Sequence, residues 1–148
     1  MNPPDRTSVL PAPLWLLVAV YFAASLAHFG HNAEYIAFYP GMPAWLTRET
    51  VYLAWLGVTS IGLLAFAFAK LAFGGLALLL LAVYGAFGLD GLAHYTLALC
   101  SEHTLAANIT IWSEAVSGLL LLLLSSAVLM VRHDRGRART AGRATAVW

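Results

Sequence analysis

Charge is what this 148-residue sequence has least of. It carries eight Lys and Arg against seven Asp and Glu, 10% of the chain, where a water-soluble domain uses about a quarter. So few charged side chains cannot cover the surface of a soluble fold. Basic and acidic residues nearly cancel, at +1, so no nucleic-acid partner is expected. The single cysteine, Cys100, excludes an internal disulfide framework and any CxxC metal or redox motif. No glycine-rich phosphate loop, nucleophile elbow or zincin motif occurs.

What is present is apolar length. Hydrophobic residues make up 61% of the chain, and mean hydropathy is +0.78. A helix needs about 20 mostly apolar residues to cross a bilayer. Four stretches meet this requirement: residues 13–39, ending at Pro40; residues 51–69, closed by Lys70; residues 76–99, entered through a Phe73-Gly74-Gly75 turn; and residues 105–131, ending at Arg132. Short connections make successive helices antiparallel neighbours. The expected fold is therefore all-α, a polytopic four-transmembrane-helix up-down bundle over residues 1–132. The Arg-, Ala- and Gly-rich stretch 133–148 is expected to be a disordered basic tail touching anionic headgroups.

With four spans, Arg6, Lys70, Arg132, Arg135, Arg137, Arg139 and Arg143 fall on one side, and Arg48 alone on the other. The positive-inside rule then puts both termini in the cytoplasm of a cell (inner) membrane. The competing expectation is a cleaved signal peptide: Arg6, an apolar run, then Ser25-Leu26-Ala27. The helical pattern running straight through residue 27 speaks against it.

The chemistry-bearing residues lie inside the spans. Three carboxylic acids, Glu34, Asp90 and Glu114, and three histidines, His28, His31 and His94, share the outer half of the membrane with no Lys or Arg among them. A carboxylate in hydrocarbon costs several kcal/mol unless it is protonated, paired or metal-bound. At about 100° per residue, His28, His31, Asn32, Tyr35 and Tyr39 share one face of the first helix, with Glu34 at its edge. Asp90 and His94 form an i,i+4 pair on the third, and Glu114 lies on the fourth in a stripe with Thr110, Ser117, Gly118 and Ser125.

Three kinds of site suit this set. In the first, His28, His31, His94, Glu34 and Asp90 ligate iron, copper or zinc, with Glu114, Asp90 and Glu34 available as bases, in a membrane metalloenzyme acting on a lipophilic or small substrate. In the second, no metal is needed. Asp90 or Glu114 serves as acid and His31 or His94 as base, to shift a double bond or open an epoxide on a lipophilic substrate. The third is haem or electron transfer, transport, or an accessory role in a membrane complex or homo-oligomer. Tyr35, Tyr39, Tyr52, Trp45, Trp55 and Trp112 read as an interfacial aromatic belt. Glu49, Glu102 and His103 read as ordinary loop surface, although His103 could feed protons or metal to the site.

Overall fold

The computed structural model describes residues 10–145, and side chains for residues 10–138. Arg6, Arg139 and Arg143, part of the orientation argument, lie outside the described side chains. Helix α1 spans Ala12–Glu34, α2 Arg48–Lys70, α3 Gly74–Ala86, the short α4 His94–Leu97, and α5 Leu105–Thr145. Four helical segments are long and apolar enough to cross a membrane: Ala12–Glu34, Arg48–Lys70, Gly74–Leu97 and Leu105–Ala138. They form an all-α four-helix bundle. Around it α1 packs on α2, α2 on α3, α3 on α5, and α5 back on α1.

Local signals explain the helix ends. Pro13 occupies the first turn of α1, where a missing N–H costs nothing. Thr47 caps α2 reciprocally: the Thr50 N–H donates to Thr47 Oγ1 at 3.3 Å, and the Thr47 N–H donates to Thr50 Oγ1 at 2.9 Å. Helix α2 closes through Leu71-Ala72-Phe73, not through the glycines. The Phe73 N–H reaches Phe68 O at 2.9 Å, the Ala72 N–H reaches Ala69 O at 3.3 Å, and Ala72 takes φ 64, the left-handed closure of a Schellman motif. Gly74 then begins α3.

Two expected spans are interrupted. Helix α1 stops at Glu34, and residues 36–38 tighten into a 3₁₀ turn, which swings Tyr39 back against the bundle. The third span changes from α to 3₁₀ over Phe87–Ala93 before resuming at His94. Gly85, Gly88 and Gly91 recur every third residue there, matching the three residues per turn of a 3₁₀ helix. They form a bare strip against α5. A Cβ on Gly85 would meet Gly118 O at 2.6 Å, and one on Gly88 would meet Glu114 O at 2.9 Å. Backbones this close pack by van der Waals contact, the main attraction between helices in lipid.

The far end of α5 runs into the stretch expected to be a tail. The helix continues to Thr145, because Ala and Arg are strong helix formers and no proline intervenes. Residues 146–148 lie outside the described residues.

The packed core, with Leu14, Tyr21, Leu78, Leu81, Tyr84 and Leu121 at its centre, occupies the half of the bundle away from the 39–47 and 98–104 connections. Leu16, Leu53, Leu63, Leu79 and Leu123 point outward and are largely exposed, as side chains facing lipid do. The other half, called the site end below, holds the polar residues.

Candidate functional site: a buried histidine–acid unit

His28 and Asn32 lie one turn apart on the inward face of α1, both buried. Asn32 Nδ2 is 3.1 Å from His28 Nε2 and 3.1 Å from His94 Nε2. One amide with two N–H bonds thus serves two acceptors, holding each imidazole with Nε2 accepting and the proton on Nδ1. The two rings lie edge to face at 5.3 Å. His94 reaches this position because it continues the three-residue repeat of Gly85, Gly88 and Gly91.

Glu114 approaches from α5. Its Oε2 is 3.5 Å from His28 Nε2, with the side chains 1% and 3% exposed. Neither carboxyl oxygen has a hydrogen-bond partner, and His28 Nδ1, His94 Nδ1 and Asn32 Oδ1 also lack one. The α5 hydroxyls do not help, because they bond their own helix: Thr110 to Ala107 O at 2.9 Å, Ser113 to Ile109 O at 2.7 Å, and Ser117 to Ser113 O at 2.6 Å. Gly91 closes the pair from above. A Cβ there would lie 3.3 Å from Glu114 Oε2 and 3.4 Å from His28 Nε2, so glycine leaves the space in which acid and base face each other.

Beside this unit lies a cavity of about 240 Å³, walled by His28, Phe29, Asn32, Asp90, Gly91, His94 and Leu97, and by Met42 and Leu46 of the 39–47 connection. Asp90 lines it from an exposed position. Among the described residues, no hydrogen bond or ion pair joins Asp90 to His94, although both line this cavity. Gly41, at φ 73, lets the connection settle on α4, since a Cβ there would meet Leu97 O at 3.1 Å.

Two expected members lie elsewhere. Glu34 is exposed, and it accepts from Arg48 at 2.7 Å and from the Tyr52 hydroxyl at 2.8 Å. The capped start of α2 carries Arg48 to it, so this acid has a cationic partner after all. His31 is half-buried, and its Nδ1 is 2.7 Å from the Tyr39 hydroxyl. Burial pushes that hydroxyl up to about 12, so Tyr39 stays a neutral donor at physiological pH. Among the described residues, no group of three or more His, Cys, Asp or Glu side chains is arranged to hold a metal ion.

Three residues given other roles above join the site end. Tyr39, expected in the aromatic belt, is buried, with its ring 5.1 Å from His94 and 6.0 Å from His103. His103, expected on the loop surface, is 7% exposed. Asn108 ties its loop to α5 by donating to Cys100 O at 3.0 Å, while the Tyr95 hydroxyl donates to Asn108 Oδ1 at 2.8 Å. Asn32, noted only for the face it shares, bridges the two histidines, and its i+4 spacing from His28 was the available clue.

No family model matches this chain, and no curated protein or solved structure is significantly similar to it. The site must be interpreted from its own geometry.

Proposed function

We propose that this chain is a membrane-embedded acid–base enzyme that moves a proton on a lipophilic substrate, shifting a double bond. It would act without a metal, in a cell (inner) membrane with both ends of the chain cytoplasmic, the side to which the Lys and Arg excess assigns them. The observation that carries this reading is the approach of Glu114 to His28 in a fully buried setting beside a cavity. A carboxyl group and an imidazole that face each other away from water can act as acid and base on neighbouring substrate atoms. Asp90, on the same cavity, is the second candidate base. A metal centre built on His28, His31, His94, Glu34 and Asp90 is less well supported, because His31 and Glu34 are engaged away from the other three.

The reaction class has a readout that does not require the substrate's name. Protein in lipid nanodiscs, incubated in D2O with a total lipid extract, is expected to place deuterium on carbon in one lipid-soluble compound, seen by mass spectrometry. Glu114→Gln should reduce that incorporation by at least about 100-fold. Incorporation unchanged in Glu114→Gln, or none in the whole extract, would overturn the proposal.

A further inference from the structure

Of the three carboxylic acids inside the spans, Glu34 pairs with Arg48 and Glu114 faces His28. Asp90 is the one left over. Among the described residues, no ion pair or hydrogen bond reaches its side chain, although it is exposed and lies well inside the span Gly74–Leu97. At that depth water is scarce, and an ionised carboxylate is costly until a cation meets it.

The cavity that Asp90 lines indicates which kind of cation fits. Phe29, Met42, Leu46, Val51, Ala54 and Leu97 make most of its wall apolar. Its other polar side chains are engaged or out of reach. One Asn32 amide serves both His28 Nε2 and His94 Nε2 at 3.1 Å, while His28 Nδ1, His94 Nδ1 and Asn32 Oδ1 are fully buried. Asp90 is thus the accessible polar side chain in an apolar wall. A carboxylate accepts hydrogen bonds, and an ammonium group offers them together with the opposite charge. At about 240 Å³, below the roughly 300–1,000 Å³ of drug-sized sites, the cavity suits a ligand's head and first carbons rather than a whole bulky molecule. No Lys or Arg lines it, so a phosphate beside the amine, as in a phospholipid headgroup, would find no cation there.

We propose that this cavity binds a lipophilic primary amine, with the ammonium group paired to Asp90 and the hydrocarbon chain along Phe29, Met42 and Leu46. The pairing rests on the reading of the same cavity as the substrate site. It makes Asp90 the anchor of the substrate, while Glu114 and His28 move the proton. Binding is measured without turnover, so it can fail while proton transfer stands, and the reverse.

The test uses the full chain in phosphatidylcholine nanodiscs at pH 7 with a diazirine-bearing alkylamine as photoprobe. Adducts should concentrate on Phe29, Met42, Leu46 and Leu97. Octylamine should compete at least about tenfold better than octanol at equal membrane concentration, since the alcohol keeps the chain but lacks the charge. Lysophosphatidylethanolamine, which sets a phosphate beside its amine, should compete no better than octanol. Asp90→Asn should erase the preference for the amine, and Asp90→Glu should retain it. Adducts scattered over the lipid-facing helices, equal competition by octylamine and octanol on the unmodified chain, a preference that survives Asp90→Asn, or competition by lysophosphatidylethanolamine that matches octylamine would each overturn the proposal. The comparison on the unmodified chain needs no variant to fold.

Discussion

Gly85→Ala and Gly118→Ala should each cost about 3 kcal/mol or more of bundle stability, a large effect for a single methyl group. A Cβ on Gly85 would stand 2.6 Å from Gly118 O and 2.7 Å from Leu122 N, and one on Gly118 would stand 2.6 Å from Gly85 O. These are backbone atoms, which cannot rotate aside, so relief requires α3 to move away from α5. The movement would also pull Gly88 and Gly91 off Tyr21 and Glu114. Gly57 supplies the control. It lies inside α2, and a Cβ there would meet nothing within 4 Å, so Gly57→Ala should be neutral or stabilise by up to about 1 kcal/mol through helix propensity. SDS titration of protein in mixed micelles reads all three variants. Opposite signs are expected, and equal small effects would mean that the 3₁₀ strip does not pack as described.

Glu114→Leu should abolish proton transfer and at the same time make the protein more stable. Both carboxyl oxygens are buried without a hydrogen-bond partner, and the ionisable group beside them is His28 at 3.5 Å. Leucine has a similar shape and removes an unmet polar group, a change expected to gain about 1–2 kcal/mol. His28 keeps its bond to Asn32, so the imidazole is not left stranded. A residue whose removal stabilises the fold is retained for something other than the fold. The same SDS titration tests the gain. A loss of stability comparable to the expected gain would assign Glu114 a structural role.

How much the sequence revealed depends on the type of signal. The four spans were legible because apolar length is a local property that each stretch states for itself. The inward face of α1 was legible for the same reason, since helical periodicity put His28 and Asn32 together. Periodicity failed where the helix type changed. Read as α-helix, residues 87–93 pair Asp90 with His94; as 3₁₀ they leave Asp90 exposed and His94 buried, both on the wall of one cavity. The glycines at 85, 88 and 91 announced that change, but only a three-residue repeat reveals it. Glu34 was misplaced because its partner Arg48 belongs to the next helix, and the Thr47 cap decides where that helix begins. His103 looked like loop surface because loop burial depends on contacts distant in sequence, here those of Asn108 and Tyr95.

The central claim is that Glu114, His28, Asn32 and His94 form one contiguous buried unit. Solid-state NMR of the full chain in lipid bilayers, with ¹⁵N-labelled histidine and ¹³C-labelled glutamate, tests this directly. A through-space correlation between the Glu114 carboxyl carbon and a His28 ring nitrogen is predicted, and it should vanish in His28→Phe. A spectrum in which the Glu114 carboxyl correlates with no histidine nitrogen would contradict the account.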